Sequence, residues 1–184
     1  MHKVGLGIAC ILAAFVAPVA LAHTGQGEAH DFLHGLLHPL FGLDHALAMT
    51  AVGALAWSMG GRARVLLPAG FLAMLIAGLI SGPMGFVLPH VETAVAATVA
   101  AMGVLLLAER RLPLALPLVC LFGIFHGNAH GAELQSATMA AQAGGFVLGT
   151  ACLHAAGIAI AAATTALRSR HRPATAIFHS GLFR

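Results

Sequence analysis

The sequence predicts an all-α protein: a polytopic membrane helix bundle of about five transmembrane helices behind a cleaved signal peptide. Three observations predict it. Charged residues make up 8% of the chain and hydrophobic residues 59%, whereas a soluble domain carries about 25% charged residues. Beyond the leader, the apolar residues fall into five runs close to the roughly 20 residues that cross a bilayer. Arginines recur at alternate ends of those runs, as in a chain threaded back and forth through a membrane. One compact domain accounts for 184 residues. The formal charge of +3 comes from nine basic and six acidic residues. The arginines form small pairs and no patch, so no nucleic-acid partner is expected.

The leader comes first. MHKVGLGIACILAAFVAPVALA has Lys3 near its start, then a short apolar run interrupted by Pro18, then Ala20-Leu21-Ala22. That is the order of a cleaved secretory signal over residues 1–22, the alternative being an uncleaved first span. Cleavage would make His23 the amino terminus, where its α-amine and imidazole could chelate one metal ion together. The plainer alternative is an exposed residue.

The five spans follow, at roughly 36–60, 65–82, 91–108, 112–130 and 144–167, within a transmembrane domain of residues 23–167. Pro68, Gly78, Pro117 and Gly149 inside them are tolerable if neighbouring helices pack closely. GLISG (78–82), GNAHG (127–131) and GFVLG (145–149) are small-xxx-small patterns that allow such packing. Arg62 and Arg64 follow the first span, Arg110 and Arg111 the third, and Arg168, Arg170 and Arg172 the fifth. The connections around 83–90 and 131–143 hold no Lys or Arg. Positive charge marks the cytoplasmic side, which makes residues 168–184 a basic cytoplasmic tail and the amino terminus periplasmic.

On that topology the polar residues gather. The chain has twelve histidines and no tyrosine. His30, Asp31, His34, His38, Asp44 and His45 precede or open the first span. His90 and Glu92 stand at the outer end of the third, and His126, His130 and Glu133 at the outer end of the fourth. His154 lies about ten residues into the fifth, near mid-membrane. His126, His130 and Glu133 are spaced to share one helical face, as are His38 and His45, seven apart. Pro39 suits a first helical turn, which places His38 at a cap and Asp44 and His45 about one and a half turns inside. A carboxylate there costs a few kcal/mol unless paired.

Any one of these residues could simply cap a helix or bond across helices. The whole set on one side of the membrane points instead to a metal or proton site, because intramembrane ionisable groups mark ion pathways. Imidazole suits zinc, copper, iron and nickel, and carboxylate suits harder ions. Cys120 and Cys152 lie in apolar runs, no CxxC occurs, and the methionines are scattered core filler. A mixed His/Asp site without thiolate leans toward nickel or cobalt, with zinc not separable by spacing.

HPLFGLDHALAM (38–49) resembles the HPxxGxDHxLAM signature of the HupE/UreJ family, and FHGNAHGAE (125–133) is similar to that family's FHGxAHGxE segment. LPHVE (88–92) and GFVLGTACLHAAG (145–157) are similar to its two other shared stretches. The match covers nearly all of the mature chain, in order, and the first two motifs are specific. The resemblance implies a permease for nickel(II), or cobalt(II) in some members, as transported ion and not prosthetic group. It would sit in a bacterial inner membrane and be linked to hydrogenase or urease maturation proteins. The implied functional residues are His38, Asp44, His45, His126, His130 and Glu133, with Glu92 and His154 at more weakly defined positions. One departure stands out. RSRHRPATAIFHSGLFR (168–184) occupies the place where members often continue into another apolar segment, which leaves helix count and tail function open. Oligomeric state is open as well.

The expected route runs from imidazoles around His30 and His34 to His38, Asp44 and His45, shares His126, His130 and Glu133, and ends at His154. Two other classes compete. His34-x-x-x-His38 and His126-x-x-x-His130 invite comparison with histidine-box oxygenases, but no adjacent histidine pair, HExxH or GxSxG occurs, so no enzyme is expected. A non-transporting metal binder or assembly factor would use the same outer ligands but has no need of the deep His154.

Overall fold

The computed structural model describes residues 31–108, 112–134 and 137–170. The leader, His23, His30, Arg110, Arg111 and the tail from 171 lie outside the described residues. The described residues form six helices and no strand: α1 Phe32–Phe41, α2 Leu43–Met59, α3 Ala63–Ser81, α4 Val91–Leu107, α5 Leu112–Gly131 and α6 Met139–Arg170. Three stretches are long and apolar enough to cross a membrane: Ala63–Ser81, Pro113–Gly131 and Met139–Ser169. The chain is an all-helical membrane protein.

The first expected span is not one helix. α1 and α2 together have the length and apolarity of a span, but they meet at a bend of 81°. Counting that pair as one span gives four. α4 is apolar but 17 residues long, about 25 Å at 1.5 Å per residue, short of a hydrocarbon core of about 30 Å. The expected count of five therefore depends on a broken element and a short one.

The break has a local cause. Asp31 caps α1, its Oδ1 accepting from the His34 backbone N–H at 3.0 Å, so the helix starts seven residues before the expected His38 cap. Pro39 then lies inside α1, where it offers no N–H to the carbonyl one turn earlier. α1 ends two residues later, and Gly42 adopts an extended conformation (φ −72°, ψ 109°) before α2 begins.

Lipid tails are as apolar as leucine, so the helices associate through close packing rather than burial from water. Two of the small-residue patterns meet in one seam. A Cβ on Gly127 of α5 would collide with the Leu75 carbonyl oxygen of α3, and one on Gly78 of α3 would lie 2.5 Å from the Ile124 oxygen of α5. The third pattern brings α6 against α1, where a Cβ on Gly145 would collide with the Phe32 oxygen. Gly53 of α2 meets the His154 carbonyl of α6 in the same way. Between these seams lies a core of Met49, Val52, Leu55, Leu67, Phe71, Leu75, Val99 and Met102, all essentially inaccessible. At the end holding Arg62 and Arg64, the Arg64 guanidinium sits 4.0 Å from the Trp57 ring centre. Trp57 Nε1–H donates to Thr165 Oγ1 at 3.4 Å, which ties α2, α3 and α6 together there.

Candidate metal centre

The bend at Gly42 builds the centre. A Cβ at residue 42 would lie 2.8 Å from Cδ2 of His45, so a larger residue here would push the His45 ring from its place. Swinging α2 back over the end of α1 sets the His38 and His45 rings 5.6 Å apart, centre to centre. The seven-residue spacing predicts the same neighbours on one helical face. The structure joins them across a break instead, because α1 stops at Phe41. Asp44 and His45 are also not deep in a helix but the second and third residues of α2. Unpaired backbone N–H groups and the positive end of the helix dipole favour a carboxylate there. Asp44 Oδ2 lies 3.9 Å from His45 Nε2, which keeps the acid beside the node.

α5 supplies the opposing wall. His130 Nε2 lies 3.1 Å from His45 Nε2. Its other nitrogen, Nδ1, is 3.4 Å from Glu133 Oε2. Glu133 sits in the turn after α5, since the helix ends at Gly131, and reaches back rather than sharing the helical face expected for it. A carboxylate on Nδ1 holds the ring with Nε2 turned inward, the usual outer support of a metal-binding histidine. Ligand nitrogens of His38, His45 and His130 all lie within 4.8 Å of one another. Bonds of about 2.1 Å put neighbouring ligands roughly 3.0 Å apart at a right angle and roughly 3.4 Å apart in a tetrahedron. The 3.1 Å His45–His130 separation already falls in that range, and His38 needs only a modest approach. His45 and His130 are buried and His38 is partly so. Phe146 of α6 packs against all three, 4.5 Å from the His130 ring and 5.8 Å from His38.

The remaining expected residues fall at graded distances from this node. His34 is one turn before His38, ring centres 6.0 Å apart, and is half-buried. His126 is inaccessible and its ring is 5.2 Å from His45. His126 Nδ1–H donates to the Phe122 carbonyl at 2.9 Å, which leaves Nε2 as a bare lone pair with no hydrogen-bond partner among the described residues. His154 is not at the node. It lies beyond Phe71, whose ring is 5.7 Å from His126 and 5.1 Å from His154. Glu92 is exposed in the first turn of α4, and among the described residues it makes no ion pair with the node. His23 lies outside the described residues.

The sequence reading missed four neighbours. Phe146 and Phe71 sit in apolar runs that mark them only as core. Thr150 is one turn before His154 and fully buried. Asn128, between His126 and His130, donates to Ser81 Oγ at 2.8 Å and to the Phe86 carbonyl, and accepts from Leu88 N–H at 2.8 Å. It pins the connection after α3. Its place inside FHGNAHGAE was the one available signal.

Residues 11–182 match the family described as HupE / UreJ protein. The chain belongs to the HupE/UreJ family. It is similar to Protein HupE of Rhizobium leguminosarum bv. viciae, 42% identical over 158 residues that span 84% of this chain and 82% of the relative. No solved structure matches the chain significantly. The HupE/UreJ match runs through both motifs that build the node, HPLFGLDHALAM and FHGNAHGAE, and through α6 with His154.

Proposed function

We propose that this protein is a permease that carries a divalent transition metal, nickel(II), from the periplasm to the cytoplasm. The observation that carries the reading is the row of imidazoles. It begins at the half-buried His34, passes His38, His45, His130 and His126, and continues past Phe71 to His154 halfway along α6. A storage or assembly site would need only the node. The donors are imidazole and carboxylate with no thiolate among them, since Cys120 and Cys152 stand apart on α5 and α6, a chemistry that suits borderline ions. Cobalt(II) is the alternative cargo. The family and the relative's name support a link to hydrogenase or urease maturation, and nothing in the site calls for catalytic turnover.

His34 and His38 collect the ion, and His45 and His130 hold it with Asp44 and Glu133 offsetting its charge. Transport requires binding firm enough to load and loose enough to release, and three imidazoles with two flanking carboxylates meet both demands. A potential negative inside contributes about 4.6 kcal/mol per divalent ion at 100 mV, twice the roughly 2.3 kcal/mol per charge, so inward movement needs no nucleotide. The test is radioactive nickel accumulation in cells lacking their own high-affinity permease, with and without excess cobalt or zinc. Accumulation abolished by Asp44→Asn supports the permease, and the competition ranks the metals. No accumulation, with nickel still bound by the purified protein, favours the non-transporting binder or assembly factor instead.

A further inference from the structure

Thr150 and His154 stand one turn apart on one face of α6, and both are buried, at 0% and 2% exposure. Among the described residues, Thr150 Oγ1 and both His154 ring nitrogens have no hydrogen-bond partner. The hydroxyl's isolation is not forced on it. Helical serines and threonines commonly bond back to a carbonyl three or four residues earlier, and Thr98, Thr164, Thr165, Ser58 and Ser81 all do so here. Thr150 does not. Across the Phe71 ring, His126 Nε2 is a fourth buried atom without a partner among the described residues. Buried polar atoms in native proteins are normally satisfied, and four such atoms, three on neighbouring α6 residues and one on His126 across the Phe71 ring, call for a ligand.

We propose that His154 and Thr150 form a second, deeper station for the same divalent cation, separated from the three-histidine node by the ring of Phe71. This rests on the permease reading above. The deep station offers an imidazole nitrogen and a neutral hydroxyl oxygen, with His126 within reach when the Phe71 ring turns aside. No carboxylate lies among these groups, so it holds the ion more weakly than the node and passes it on.

The probe is cobalt(II), added to the full chain in phosphatidylcholine/phosphatidylglycerol nanodiscs and followed by its absorption bands. Nickel flux into proteoliposomes of the same lipids is measured alongside. The wild-type protein should bind in two phases, the second at least tenfold weaker. Thr150→Val, which keeps the side-chain volume, and His154→Ala should each remove the second phase, leave the first within about twofold, and cut flux at least tenfold. Phe71→Ala should leave the first phase in place and speed exchange between the two. A single phase in the wild-type protein overturns the station. So does a second phase, or a flux, that both α6 variants leave unchanged; if nickel still enters the vesicles then, the permease reading survives without it. Two phases lost as expected, with no flux even in the wild-type protein, uphold the station and remove the permease reading. If His154→Ala also loses the first phase, Thr150→Val decides.

Discussion

Two histidines in this bundle are equally buried and differently served. His130 has Glu133 3.4 Å from one ring nitrogen and His45 3.1 Å from the other. His154 faces a phenyl ring and, among the described residues, has no polar partner at either nitrogen. The first arrangement fixes a ring in advance and surrounds a cation with negative charge. The second does neither. In a permeation path that difference has a direction: an ion is captured where its charge is answered and released where it is not.

The largest effect should come from breaking the supported site. His130→Ala removes one inward lone pair and strands His45, so nickel binding and uptake should both disappear, read by equilibrium dialysis of the purified protein and by cellular accumulation. His154→Ala should separate the two quantities, with uptake lost and node affinity changed by no more than about twofold. If binding at the node falls as far as uptake in Thr150→Val as well, the deep residues and the node are one site and the contrast between them is void. Asp44→Asn keeps the shape and removes the charge. Loss of an outer supporting group typically costs about 10–100-fold in metal affinity, and a loss in that range is expected in dialysis, together with loss of accumulation. Glu133→Gln should act in the same direction, since the amide still reaches His130 Nδ1 but carries no charge.

Acidification should act more gently. A proton and a metal ion compete for the same imidazole lone pair, and free imidazole titrates near pH 6.5. Binding and uptake should fall as the outer pH drops below about 6 and recover on return. Uptake undiminished at pH 5 would remove imidazole from the account of loading. The smallest effect is expected far from the histidines: Arg64→Lys, at the opposite end of α3, trades a stacked guanidinium for an ammonium over Trp57 and should leave nickel affinity unchanged.

Much of this was legible in the chain, and what was not has identifiable causes. Low charge and the spacing of apolar runs gave helices α3, α5 and α6 to within a few residues at most ends, because lipid leaves a helix few other ways to satisfy its backbone. His126 and His130 were readable as a pair because four-residue spacing on a continuous helix fixes their relation. His38 and His45 were paired for the wrong reason. Their spacing suits one helix, but Asp31 begins the first helix early, Pro39 and Gly42 end it, and the 81° bend makes the contact. Asp44 looked costly for the same reason, and the break that misled the span assignment also supplies the helix start that stabilises it. Phe71, Phe146 and Thr150 carry no local signal, since their importance lies in which helix each one faces. The glycine patterns were visible, but which partner each would meet required the fold.

The most direct test of the central claim, that the node feeds a path across the membrane, is nickel entry into proteoliposomes containing only this protein, under an imposed inside-negative potential. The expected result is time-dependent accumulation that grows with the potential and is absent from vesicles carrying His45→Ala, with the variant inserted in equal amount. Nickel that stays bound at the vesicle surface in proportion to protein, indifferent to potential, would contradict it and leave a metal-binding membrane protein that does not transport.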